Sequence, residues 1–164
     1  MQKKIMNNPL EVAKETMEGF EAAYLGSAKK LPEHNALIST KKEDRIALLI
    51  GGGSGHEPLW GGFIGKGFAD AVVCGDVFAA PGPEAIIDAI RASDKGSGVV
   101  IVHCNYAGDN MNFQLATNMA AEEGIETRTI RVWDDIATGS RLQQEGRRGL
   151  VGSIYVFKVA AAAI

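Results

Sequence analysis

Short apolar runs and helical segments take turns along most of this chain. Ile46–Ile50 is continuously apolar, Ala71–Cys74 and Val99–His103 follow as further strands, and Ile125–Val132 alternates as another. Between them, Pro83–Ala92 reads as a helix opened by proline, and Asn110–Glu123 as a helix stopped by Gly124. Parallel strands need a crossover, and helices supply it. The alternation therefore predicts an α/β fold, a mostly parallel sheet with helices on both faces. In such sheets ligands sit at the carboxyl ends of strands, where the loops Gly51–Glu57 and His103–Asp109 fall. At 164 residues the chain has the length of a single domain.

Outside this core the pattern changes. Asn8 is placed to cap a first helix, with Pro9 at its first position and Glu11 at the capping-box position. Val12, Ala13, Met17, Phe20, Ala23 and Tyr24 then give that helix one apolar face. Lys29–Asp44 reads as a polar linker. Ile46–Ile50 ends abruptly in Gly51-Gly52-Gly53-Ser54-Gly55, the mark of a buried strand entering a tight loop. Trp133–Gly149 is long, polar and aperiodic, as expected of a lid or partner-binding loop. Leu150–Ile164 reads as an apolar helix ending without Gly, Asn or a basic cap, so we expect the chain to be cut from, or completed by, something further. That helix is expected to bury Ile154, Val156, Phe157, Val159 and Ile164 against the first helix or another chain.

Charge and cysteine content narrow the partners. Seventeen Lys plus Arg against 20 Asp plus Glu leave a net charge of −3, which offers no general attraction to nucleic acid or an anionic membrane. Cys74 and Cys104 lie in strand-like runs without Cys-x-x-Cys spacing and read as buried thiols. The N-terminus lacks an apolar segment behind its basic start, and no run of about 18 apolar residues occurs, so the cytoplasm is the expected compartment.

The first candidate loop is Gly51-Gly52-Gly53-Ser54-Gly55-His56-Glu57-Pro58. Glycines let backbone N–H groups approach a ligand, while Ser54 and His56 can donate, accept or move a proton. A dinucleotide fingerprint and a nucleophile elbow both fail at His56, where glycine would be required. A P-loop ending at Gly65-Lys66 fails at Trp60 and Gly67. His56 also has a plain reading as a loop histidine bonded to backbone carbonyls.

The second candidate, His103 through Asn110, again joins a strand end to a helix. Asp109 could cap that helix, which position alone favours, or accept a proton from a substrate hydroxyl. His34 is expected in solvent and His103 at the edge of the core. Trp60, Phe63, Met111 and Phe113 are spaced for core contacts.

The segment Ala-Leu-Leu-Ile-Gly-Gly-Gly-Ser-Gly-His-Glu-Pro over 47–58 resembles the signature loop of dihydroxyacetone kinase substrate-binding subunits, and Gly62 to Gly67 continues the likeness. Asn105-Tyr106-Ala107-Gly108-Asp109 with Met111-Asn112-Phe113 resembles that family's second loop, and Gly146-Arg147-Arg148-Gly149 a third. The resemblance runs in order through nearly the whole chain. It implies the first half of a two-domain subunit that holds dihydroxyacetone or a similar small ketose. Gly53, Ser54, Gly55 and His56 would line the substrate. Asp109 would accept the proton of the hydroxyl being phosphorylated, and His56 would hydrogen-bond that hydroxyl.

The same resemblance implies that ATP with magnesium, or a bound ADP, belongs to a separate subunit or domain, that this chain binds no cofactor itself, and that it forms a homo-oligomer. The family's ketose is held covalently by a histidine of a second domain, which no residue here matches, so the isolated chain is expected to be inactive. A substrate-contacting lysine of the family corresponds to Cys104, which brings a four-carbon ketose such as erythrulose into competition. Catalytically silent relatives with regulatory partners form the rival reading.

Overall fold

The computed structural model describes residues 4–41 and 44–164. Six strands form one sheet in the order β1-β2-β4-β3-β5-β6: β1 (Ala28–Lys30), β2 (Ala36–Ser39), β3 (Ala47–Ser54), β4 (Ala71–Val77), β5 (Val99–Cys104) and β6 (Thr127–Val132). The last four in that order pair in parallel, as expected of an α/β fold. The first two form an antiparallel hairpin at one edge.

That hairpin corrects the linker reading of Lys29–Asp44 over residues 29–39; residues 42–43 of that reading lie outside the described residues. Its strands are too short to show alternation, yet Leu37 lies fully buried beside Val72. Lys29 and Lys30 mark the exposed edge, a common guard against further strand pairing. His34, expected in solvent, instead meets Asp88 through Nε2 at 3.0 Å and ties the hairpin to a helix.

Each face of the sheet carries two helices, α2 (Pro83–Ser93) and α3 (Ala107–Glu122) on one, α1 (Val12–Ala23) and α4 (Gly152–Ala163) on the other. Alternate residues of β3 serve the two layers. Leu48 and Ile50 join Met17, Trp60 and Phe157, whereas Ala47 and Leu49 join Ile87, Ile90 and Phe113. In α1 the apolar face is smaller than expected, because Ala23 points outward. Asn8 accepts from Leu10 N–H at 3.1 Å and opens a 3₁₀ turn, Pro9–Glu11, rather than the α-helix itself. Glu11 pairs with Lys14 at 3.4 Å.

The glycine run is not a loop. β3 continues through Gly51, Gly52 and Gly53 to Ser54, paired with β4 from Leu49 to its end and with β5 as far as Gly51. The missing side chains make room for neighbours: a Cβ on Gly52 would lie 2.3 Å from the Trp60 ring. Ile46, expected in the strand, precedes it and is partly exposed.

Helix α4 lies on the sheet rather than on α1, with Phe157 against Trp60 and Phe63 at ring separations of 5.6 and 6.1 Å. Val156 and Ile164 are partly covered, whereas Val159 is 68% exposed. The apolar helix thus buries only one stripe. Among the described residues, no helix is long and apolar enough to cross a membrane.

Asp70 joins β3 and β4 at their start. Its Oδ2 accepts from Leu48 N–H at 2.8 Å, its own N–H donates to Leu48 O at 2.8 Å, and Arg45 meets its carboxylate at 3.1 Å. Asp70→Ala strands a buried N–H and is expected to lower stability by about 1–3 kcal/mol. An unchanged urea midpoint would show that solvent replaces the lost acceptor.

Candidate functional site

Four segments meet at the carboxyl edge of the sheet around a cleft of about 580 Å³, a volume suited to a small molecule, one of them the turn 78–80 after β4. The end of β3 supplies Gly53 and, one turn on, His56. The β5–α3 junction supplies Cys104, Tyr106, Gly108 and Asp109. Gly149, Leu150, Val151 and Ser153, at the start of α4, form the third wall. Among the described residues the lining contains no Lys or Arg and a single carboxylate.

Helix α3 begins at Ala107, three residues before the expected start, because Ala107 and Gly108 continue into the helix although they read as turn residues. Tyr106 therefore holds the N-cap position, and Asp109 falls inside the first turn, where no side chain caps the helix. This removes the capping reading. Asp109 is 8% exposed, and its Oδ1 is buried without a hydrogen-bond partner. Burial pushes its carboxyl up to about 6, against a smaller stabilisation of the ion by its own backbone N–H. A carboxylate in that state is a competent proton acceptor near neutrality.

His56 sits on the exposed turn after β3, its ring 5.1 Å from that of Phe78. Cys104 lies at the end of β5, where burial pushes its thiol up to about 12, so it presents a neutral S–H beside Ser153. Ser54 and Gly55, expected to line the substrate, do not line this cleft. The Ser54 hydroxyl is buried and donates to Gly75 O at 2.7 Å, and Gly55 turns outward with its N–H on Glu57 Oε1 at 3.0 Å. Ser54 secures the strand end from which the turn departs.

His103 is a core residue, as its position implied: Nδ1–H donates to Cys104 O at 2.8 Å, the ring stacks on Phe113 at 4.6 Å, and burial pushes its pKa down. Met111, expected in the core, faces solvent. Trp60 is buried but also lines the cleft, with its indole N–H on Gly53 O at 3.1 Å. Both cysteines are free and buried.

The polar stretch 133–149 is strapped down. Asn105 Nδ2 donates to Glu145 O at 2.9 Å and to Arg147 O at 2.7 Å, and Tyr106 O–H reaches Gly149 O at 3.1 Å. Asp134 accepts from Leu150 and Gly152 N–H at 2.6 and 2.8 Å, which fixes the third wall and satisfies the open end of α4. A second depression of about 600 Å³ shares Tyr106 and includes Arg131, Trp133 and Arg148, but contains neither His56 nor Asp109. The first cleft holds both.

Sequence reasoning missed Phe78, Ala79 and Ala80, which line the cleft just after β4. The signal was their position at a parallel strand's carboxyl end, hidden because β4 runs three residues past Cys74. The wall at 149–153 carried no local signal.

The family model for the Dak1 domain matches residues 18–164. The chain is 42% identical over 161 residues to the dihydroxyacetone-binding subunit of the PTS-dependent dihydroxyacetone kinase of Lactococcus lactis, covering 98% of this chain and 48% of that protein. It is 39% identical to a D-erythrulose kinase of Mycolicibacterium smegmatis, with 98% of this chain and 28% of that one covered. The crystal structure of the dihydroxyacetone kinase from C. freundii in complex with AMP-PNP and Mg2+ superposes with a TM-score of 0.89 at 33% identity, over 98% of this chain and 30% of that one. The chain thus spans about half the length of the first of these relatives and less of the others. By the extent of the matched model and the shared fold, this chain belongs to the Dak1 domain family.

Proposed function

We propose that this chain is the ketose-holding part of a dihydroxyacetone-kinase-type phosphotransferase, acting on a small uncharged hydroxyketone. The observation that carries the proposal is Asp109, buried at the cleft wall with one carboxylate oxygen unpartnered and its pKa raised to about 6. The ketose's terminal hydroxyl lies against the part of the Asp109 carboxylate that lines the cleft. As the hydroxyl oxygen bonds to phosphorus, its proton passes to Asp109, and the donor's bridging oxygen leaves with the electron pair. His56 hydrogen-bonds the same hydroxyl and orients it.

The lining's lack of cations suits a neutral substrate and does not suit a nucleotide triphosphate with its metal. The donor, ATP with magnesium or a recharged ADP, therefore belongs to another domain or subunit. Among the described residues no group of three or more His, Cys, Asp and Glu could hold a metal ion. In this reading the chain works with a second domain of its own protein and with further copies of itself. The neutral Cys104 puts no charge against the ketose, and the likeness both to dihydroxyacetone-binding subunits and to an erythrulose kinase keeps a three- and a four-carbon ketose as candidates.

The test is the pH dependence of kcat/KM for dihydroxyacetone and erythrulose, with the chain in its full-length context and a donor present. A proton acceptor must be ionised, so activity should be lost as pH falls through about 6 with the slope of one proton. An acid limb at the ordinary carboxyl value of 3.8 would set Asp109 aside as the base.

A further inference from the structure

Phe78 follows β4 with φ of 58°, in the left-handed region that bulky side chains adopt only against steric resistance. Burial does not explain its presence, because the residue is 72% exposed. Its backbone is fixed by an N–H bond to Ser54 O at 2.8 Å, which anchors the turn to the end of β3. The ring occupies the space a side chain at position 55 would take. Gly55 has φ of 93°, and a Cβ there would come within 3.0 Å of the Phe78 ring.

The other side of this arrangement is His56. Its imidazole lies 5.1 Å from the Phe78 ring at a tilt of 58°, and both residues line the cleft. Among the described residues neither nitrogen of that imidazole has a hydrogen-bond partner, and nothing polar orients the ring. Histidines that work on substrates are ordinarily oriented by a hydrogen bond to the second nitrogen. Here an aromatic ring stands in that place.

We propose that Phe78 is a positioning residue for His56, its ring holding the imidazole toward the cleft with both nitrogens free for the ligand. The proposal rests on the ketose-kinase reading above for its functional consequence, and on the geometry alone for the contact. The strained, exposed phenylalanine thus orients a histidine that the hydrogen-bond network leaves loose.

Two measurements test it. With the full-length protein, its donor and dihydroxyacetone, Phe78→Leu should lower kcat/KM by about 10–100-fold. Phe78→Tyr, which keeps the ring, should stay close to the parent, and the thermal midpoint of Phe78→Leu should not fall. On a His56→Ala background, Phe78→Leu should be nearly silent; a full additive loss would overturn the proposal, since the ring would then act without the histidine. Separately, the His56 ring-proton resonances of this chain should be displaced by the aromatic neighbour, return to solvent-like positions in Phe78→Leu and stay displaced in Phe78→Tyr. Unmoved resonances in Phe78→Leu would also overturn it. If the parent fails to phosphorylate either ketose, the kinase reading falls, and the resonances alone decide whether Phe78 orients His56.

Discussion

Asp109→Asn is expected to lower turnover by roughly 10²–10⁴-fold in the full-length protein supplied with a phosphoryl donor, the range spanned by loss of general base catalysis. The substitution keeps the side chain's size and its place in the first turn of α3, and removes only its ability to take a proton. Ketose affinity should change little, so the loss belongs in kcat. The same change should stabilise the fold. Between the ordinary value of 3.8 and about 6 the folded chain holds a proton that the unfolded chain releases, so stability falls as pH rises through that window. At neutral pH the buried ion is a liability. Asparagine removes it, for a gain of roughly 1–2 kcal/mol after discounting for the solvent that reaches the cleft. A variant both inactive and more stable above pH 6 is the signature of a carboxylate kept for chemistry. An active one would return Asp109 to a structural role.

Phe157→Ala should have the largest effect on folding, about 3–5 kcal/mol. The side chain is fully buried where α4 meets the sheet, and its ring touches Trp60 and Phe63, so the cavity left behind has rigid aromatic walls that cannot close over it. Since Trp60 also lines the cleft, Phe157→Ala should weaken ketose binding under conditions where the protein remains folded. Urea unfolding monitored at the tryptophans reads the first effect. A loss near 1 kcal/mol, the size of an exposed-site change, would mean that α4 is docked by other contacts.

The parallel core was legible because Ala47 to Ile50 and Val99 to Val102 are buried on both faces and therefore apolar without a break. The hairpin was not, since three or four residues cannot display a period and Lys29 and Lys30 look like any linker. Glycine content misled at β3: without side chains there is no pattern to read, and Gly51 to Gly53 resemble a turn although neighbouring strands bond them into the sheet. The loops that carry Gly53, His56, Cys104 and Asp109 were legible because they fall at strand ends, while Cys104, read from its run as a buried thiol, was tied to a substrate only by the family resemblance. Ser54 and Gly55 shared that position but face elsewhere, a matter of pleat and turn geometry that residue type does not announce. Phe78 and the wall at 149–153 reach the cleft only through tertiary structure.

The stretch of β3 beneath Trp60 has consequences for how this domain can diversify. A Cβ on Gly51, Gly52 or Gly53 would strike Val73, Trp60 or Ala79, so this end of β3 has almost no alphabet in which to vary. Novelty must enter elsewhere. The open variables are Ala79 and Ala80, Cys104 and the first residues of α4, three segments far apart in the chain that can change one at a time. If such domains hold ketoses as proposed above, a lineage of them can take up new acceptors by retouching the rim while the strand beneath stays the same.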